Sequence, residues 1–455
     1  MAIRDTLNLE EKVIFLHIGD YLADKNFSAI QELLKDFHVA DIAYVLNLLE
    51  EEDIVPIISG FEGKLQAGIL AELVDSKQEY VTDHLEKDVL ARIVENLESD
   101  DAADLLGVLD EGEQQQVLDQ VDSEDARDVR ELLQHEADTA GGIMSKEVVS
   151  IVNDATVEEA IHEIRRAAVE TKQIYNVYVV DKEEPILLGV VPLNELVISG
   201  PEVLLSEIMS DVRSVMASLD QEDVARMAQK YNLVEIPVVD EGGRLLGRIT
   251  YDDIMDVIEE EAEEDIARLA GTQNEESYED SWLEISKNRI AWLIIGLAGG
   301  IFAAYIISKF EHALNEVLLL AFFVPVIMAM GGIVGIQSST ITVRALATGE
   351  IGPGSLRKRI IRELVVGGIN GSICSLLITL LIFLWQGDSA LSMVVGAAMF
   401  FVMMMSTLSG TLIPLLLSRF KVDPGIATGP FVTTLNDVVG LLIYFGLATL
   451  FIVLH

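Results

Sequence analysis

Cysteine occurs once, at Cys374, so the chain can close no intrachain disulfide. Its seven histidines are scattered without the paired spacing of metal ligands, which argues against a zinc enzyme. No phosphate loop and no nucleophile with its base can be read, so an enzyme is not expected. The start, Met1 to Lys12, lacks an apolar signal core, and the front half is expected to stay in the cytosol. Basic residues are scarce as well: 31 Lys and Arg stand against 75 Asp and Glu, a net charge of -44.

The imbalance is confined to the front. From residue 281 onward there are ten Lys and Arg and eight Asp and Glu, which leaves 21 basic and 67 acidic groups in the first 280 residues, a formal charge of -46. Such a surface is a poor partner for nucleic acid or anionic lipid, whose phosphates are bound by Lys and Arg. It suits hard divalent cations, which take carboxylate oxygens. Acidity for solubility alone is the plainer alternative.

The back half has apolar length instead. Stretches at about 290–308, 317–346, 360–386, 390–418 and 426–454 can each cross the roughly 30 Å of a bilayer's hydrocarbon core, which takes about 20 helical residues. Lys287 and Arg289 precede the first span, Arg344, Arg357, Lys358, Arg359 and Arg362 fill the second connection, and Arg419 and Lys421 the fourth. The positive-inside rule then predicts five helices in membrane lipid, with a cytosolic amino terminus and an external carboxyl terminus.

Asp437 falls inside the fifth stretch. An acid at the centre of a membrane helix costs roughly 2.5 to 3.5 kcal/mol, so it is expected to face a partner, a cavity or an ion path. Thr433 and Thr434 lie one turn earlier on the same face and offer oxygens to a hydrated cation. Pro325, Pro414 and Pro430 are expected inside helices, freeing the carbonyls of Ala321, Gly410 and Ile426. A kinked helix with Asp437 bonded to a neighbour is the alternative. One carboxylate cannot neutralise a divalent ion, whereas two copies of Asp437 on a twofold axis can, so a homodimer is expected. Small-xxx-small pairs at Gly296/Gly300, Gly331/Gly335 and Gly367/Gly371 permit close helix contact.

In the cytosolic half, residues 140–260 alternate helices with short strands in a duplicated unit of about 60 residues. Ile174–Asp181 matches Glu235–Asp240, and Leu187–Val191 matches Leu245–Thr250. The duplication resembles a tandem pair of CBS domains, with Gly142-Ile143-Met144 and Glu207-Ile208-Met209 opening the two units. In that family a Gly-x-x-Thr-x-x-Asp stretch often contacts a nucleotide's ribose. The second unit has Gly247, Thr250 and Asp253, which makes Thr250 and Asp253 a candidate nucleotide-binding pair and ATP a candidate ligand. The first unit has Pro192 and Glu195 instead.

Residues 8–135 carry apolar positions three and four apart with recurring segments, which predicts a small helical superhelix. Asp100, Asp101 and Asp104 form a compact acidic group there, which by itself is more often a helix cap and first turn than a metal site. Between Asp252 and Asp265, Asp253, Asp256, Glu260 and Glu264 follow helical spacing and repel one another. A face of this kind is eased by cations, and a solvated charged helix is the plainer reading.

Three stretches carry a resemblance over nearly the whole chain: Val422 to Asp437, the Thr139-Ala140-Gly141-Gly142-Ile143-Met144 junction, and Gly331-Gly332-Ile333-Val334-Gly335-Ile336-Gln337. They resemble the MgtE-type magnesium channels and transporters. The resemblance implies a multidomain membrane protein. Its parts are an all-α N domain (1–137), two α/β CBS domains (138–200 and 201–258), a connecting plug helix (259–283) and a five-helix transmembrane domain (284–455), assembled as a homodimer. It implies that Asp437, beside Thr433, Thr434 and Asn436, holds hydrated Mg2+ in the pore. It also implies regulatory Mg2+ at Asp100, Asp104, Asp253, Asp256, Glu261, Glu264, Asp265 and Asp423. The family's second membrane helix usually reads Gly-Gly-Asn-x-Gly-x-Gln, where this chain has Ile333 at the asparagine position, and Asn232 stands where an acid is expected.

The expected mechanism is a plasma-membrane channel for Mg2+ uptake that cytosolic Mg2+ closes by bridging the acidic faces. A Na+- or H+-coupled exchanger and a nucleotide-sensing receptor are the competing readings.

Overall fold

The computed structural model describes residues 17–168, 173–270, 282–347, 356–420, 422, 425 and 429–453. These divide into two compact units, residues 1–259 and 260–455.

The first unit begins with short helices: α1 (Phe27–Leu34), α2 (Val39–Leu46), α3 (Glu51–Ile58), α4 (Gly63–Ala71), α5 (Asp75–His84), α6 (Lys87–Val94), α7 (Ser99–Gly107), α8 (Glu111–Leu118) and α9 (Asp125–Leu132). Each of the first seven packs on the helix two places further along, so the expected superhelix is present. The cause is the sequence period. Ile42, Ile54, Ile57, Ile69, Leu90 and Leu105 recur at helical spacing and are fully buried, while acids such as Glu51, Asp88 and Asp101 sit in first turns, where the helix dipole favours them.

Two three-stranded sheets follow with the same design. In the first, β1 (Ser150–Val152) runs parallel to β2 (Asn176–Val180), which runs antiparallel to β3 (Leu187–Pro192). In the second, β4 (Val215–Met216), β5 (Glu235–Val239) and β6 (Leu245–Thr250) repeat the arrangement, with register shifts at the matching places, Val179/Val180 and Val238/Val239. Helix α10 (Val157–Ala167) opens with a capping box between Thr156 and Glu159. Helix α11 (Gln221–Tyr231) is capped by Asp220 and closes on Asn232, whose φ of 52° is left-handed. That conformation suits asparagine and gives Asn232 a structural reason.

The two CBS units are crossed. Ser145, ahead of β1 in the first unit, pairs with Arg248 of β6, and Ser210, ahead of β4 in the second, pairs with Val190 of β3. Each contact needs a glycine. A Cβ at Gly247 would fall 2.5 Å from the Ser145 carbonyl oxygen, and one at Gly189 would fall 2.8 Å from that of Ser210. The core also ignores the linear order. The helical region shares one apolar core with the second CBS unit, including Val224, Ile236, Ile249 and Ile254, whereas the first CBS unit has its own around Val177, Val179 and Val191. Helix α12 (Tyr251–Ala270) leaves β6 without a break, as its helical spacing of acids predicts.

The second unit holds α13 (Trp282–Lys309), α14 (Leu320–Ala347), α15 (Leu356–Gln386), α16 (Ser389–Arg419) and α17 (Pro430–Ala448), each containing a segment long and apolar enough to cross a membrane. Helix α16 is the most buried and packs on α14, α15 and α17. Pro325 and Pro414 lie inside helices as expected. Pro430 does not: it is the first residue of α17, where its missing amide hydrogen costs nothing, so it starts the helix and does not kink it. Ile426 lies outside the described residues. The glycine pairs also separate. Gly331 and Gly335 face α16 and α17, Gly367 and Gly371 face α16, and Gly296 and Gly300 have nothing near them.

Candidate functional sites

In the first unit, the shared core brings acids of the helical region against the start of α12. Glu98, Asp100 and Glu147 place carboxylate oxygens within 4.8 Å of one another. Glu147 is held by the Ser99 amide at 3.2 Å, the Ser99 hydroxyl at 2.8 Å and the Ser145 hydroxyl. Asp253 faces this group from the first turn of α12, its Oδ2 accepting from the Thr250 amide at 2.8 Å and hydroxyl at 2.7 Å. Asp104 and Asp256 keep solvent contact at the rim, with Glu72 and Asp75 nearby.

The electrostatics follow from that crowding. Burial holds the Asp100 carboxyl well above the usual carboxylate range, and Asp253, Asp101, Glu147 and Glu98 add repulsion. The protein packed around Asp104 pushes it up to about 6, helped by Asp253 and Asp75. Asp256 is pushed up to about 6 by partial burial and then by Asp253, Glu72, Asp252 and Glu259. Burial also raises Asp253, against the two hydrogen bonds from Thr250 and the charge of Arg248. The junction therefore stores like charge that either protons or a hard cation can neutralise.

Of the acids expected from the sequence, Asp100, Asp104, Asp253 and Asp256 converge here. Glu261, Glu264 and Asp265 lie further along α12, where Glu264 pairs with Arg268. Asp423 lies outside the described residues. Glu98, Glu147, Glu72 and Asp75 were not anticipated, because nothing in their spacing marks them and only the tertiary fold collects them.

In the second unit, Asp437 is half-buried within the apolar segment Phe431–Phe451 and has no hydrogen bond or ion pair among the described residues. Its neighbours diverge. Thr434 packs so closely on Gly299 of α13 that a Cβ there would fall 2.2 Å from its methyl, and Thr433 lies near Gly332. Asn436 is buried against α14 and α16. Its Oδ1 accepts from the Ser409 hydroxyl at 2.6 Å, and its Nδ2 occupies the space that a Cβ at Gly335 would need. Ile333 of the glycine motif is half exposed and takes no part in that contact.

Known proteins share this layout. The family profile described as the MgtE divalent cation transporter matches residues 324–447, that of the MgtE intracellular N domain matches 37–138, and that of the CBS domain matches 140–199 and 205–260. A magnesium transporter MgtE from Bacillus subtilis is 37% identical over 333 residues, covering 73% of this chain and 74% of the relative. The chain belongs to the MgtE family. A magnesium transporter MgtE from Thermus thermophilus is 39% identical over 337 residues, covering 72% and 74%. The solved cytosolic domain of the Mg2+ channel MgtE in complex with ATP is 34% identical, with a TM-score of 0.49 over 52% of this chain and 98% of that one. MgtE membership accounts for the order of helical N domain, CBS pair and apolar helices, and makes the chain a multi-pass membrane protein.

Proposed function

We propose that this MgtE-family protein is a Mg2+ channel of the plasma membrane that carries Mg2+ inward down its electrochemical gradient and is closed by cytosolic Mg2+. The observation that carries the reading is Asp437, a carboxylate without a protein partner among the described residues, inside an apolar span. An acid kept there at a cost is an ion site. A homodimer would present two such carboxylates, enough to balance Mg2+ with its water shell in place. The amino terminus is assigned to the cytosol and the carboxyl terminus to the outside, from the Lys and Arg of the second and fourth connections.

Regulation is assigned to the acidic junction and, further along α12, to Glu261, Glu264 and Asp265, with Asp423. Mg2+ between the faces offsets their repulsion and favours the packed, closed arrangement, and its loss lets them part. The ion biases the gate only by binding the closed state better than the open one. At Thr250 and Asp253 the geometry favours a cation over ATP, because the Thr250 hydroxyl is already bonded to Asp252 and Asp253 and the surrounding acids repel phosphate.

The test is Mg2+ flux into proteoliposomes driven only by a Mg2+ gradient and membrane potential. Flux in the wild type that disappears in a folded Asp437→Ala variant supports the channel. A requirement for a Na+ or proton gradient supports an exchanger, and flux retained by the variant moves the ion site elsewhere.

A further inference from the structure

Helix α15 packs on α16 and leaves most of its surface bare: 17% of its apolar segment is buried, against 61% for α16. Lys358, Arg362, Val365, Ile369, Ile373, Leu376 and Leu380 recur three and four apart, so they share one face of the helix. The two bases are exposed, and each of the five aliphatic residues is more than half exposed. The stripe therefore has two parts, a cationic end and a hydrocarbon length.

The charge at that end is not spent within the protein. Glu363, the acid in the same two turns, lies round the helix and is taken by Arg359 at 3.2 Å, with side chains 10% and 14% exposed. Arg357, Lys358 and Arg362 point outward, and none has an ion pair among the described residues. Three exposed bases thus stand together with the neighbouring carboxylate already neutralised.

Depth places them against a particular part of the bilayer. From Arg362 to Trp385, which is 70% exposed at the other end of α15, the helix runs 23 residues, about 34 Å. That is close to the roughly 30 Å of a hydrocarbon core. With the tryptophan at one boundary, Arg362 lies at the other and Lys358 one turn beyond, at the level of the lipid phosphates. The bases of this second connection assign that level to the cytosolic leaflet.

We propose that Lys358 and Arg362 bind the phosphate of an anionic phospholipid in the cytosolic leaflet, with an acyl chain laid along Val365, Ile369 and Ile373. Charge selects the head group. Two bases flanked by a third, with no acid left unspent, favour a lipid of net negative charge, because a zwitterionic head group brings its own cation. A second copy fits this stripe poorly, since a twofold contact along it would set the same bases against each other.

The test uses the full chain purified in detergent, with phosphatidylglycerol or phosphatidylcholine added back, and reads the unfolding temperature and the lipid retained in native mass spectra. Phosphatidylglycerol is expected to stay bound and to raise the unfolding temperature by about 4 °C or more above phosphatidylcholine. Lys358→Gln with Arg362→Gln is expected to abolish that difference, whereas Arg419→Gln, at an exposed base ending α16, is expected to keep it. Equal effects of the two lipids, or a difference that survives the double change, overturn the proposal. Inorganic phosphate that reproduces the shift by itself makes the site one for a free anion, and a shift that follows protein concentration and not lipid seats a second copy. Either result overturns the lipid. Should the double variant fail to assemble, each single change, expected to lower the difference by about half, decides the matter in the same terms.

Discussion

Asp253 accepts the amide and the hydroxyl of Thr250 with one oxygen, Oδ2, at 2.8 and 2.7 Å. Thr250 precedes α12 and Asp253 is its third residue, so the pair forms one arm of a capping box. One carboxylate oxygen thus secures the helix start, and the other is left for the junction. Thr250→Val should remove the hydroxyl bond and keep the amide bond. It is expected to cost about 1 kcal/mol in thermal unfolding and to raise the Mg2+ midpoint for inhibition. An unchanged midpoint would mean that the orientation of Asp253 is set elsewhere.

The junction should also respond to pH. Asp104 and Asp256 move from the ordinary 3.8 up to about 6, so the packed state holds protons that the separated state has lost. For a raised acid, the favourable contribution to packing is complete below the ordinary value and is lost as pH climbs through about 6. With Mg2+ chelated, limited proteolysis of the cytosolic region should therefore accelerate across that window. With Mg2+ present, the rise should flatten, because the cation replaces the proton. Equal slopes with and without Mg2+ would remove both residues from the sensor.

Within the second unit, α14 and α16 touch backbone to backbone. A Cβ at Gly410 would fall 2.4 Å from the Gly335 carbonyl oxygen, and a backbone atom cannot swing aside. Gly410→Ala is expected to cost at least 1 to 3 kcal/mol, on the order of an overpacked core, read as a lower unfolding temperature in detergent.

Ser409→Ala tests the polar contact beside that crossing. It removes the 2.6 Å bond to Asn436, a residue 4% exposed, at an expected cost of about 0.6 to 2 kcal/mol. Flux per folded channel should persist, since Asn436 is turned into the bundle and Asp437 is untouched. Loss of flux without loss of stability would instead give Asn436 a direct part in conduction.

Much of this architecture was legible in the residue pattern. Apolar periodicity gave the helices of the N region, duplicated Val-rich runs gave the paired strands, and the five spans agree with the apolar stretches to within a few residues. The fifth began four residues later than its hydropathy suggested, because Pro430 reads as a breaker in a linear scan and serves as a first-turn residue in the fold. The acids on α12 were visible through helical spacing. Glu98 and Glu147 were not, since they come from a helix N-terminus and a loop 49 residues apart and meet only through the core that joins the helical region to the second CBS unit. Arg248 was equally silent: in sequence it is one polar residue in a strand, and only the fold buries it against Glu235.

The crossed segments at Ser145 and Ser210 bear on how the CBS pair can come apart. Each lies along the outer side of the other unit's last strand, covering backbone groups that would otherwise form an open edge ready to recruit a stray strand. Cutting the chain between the units would therefore not release two self-sufficient halves, because each fragment would carry its duplicate's cover and lack its own. The pair is one object to a protease, a truncation or a folding nucleus, and a pull on α12 at the end of β6 is shared with Ser145, on the far side of the first unit in sequence and adjacent to it in space.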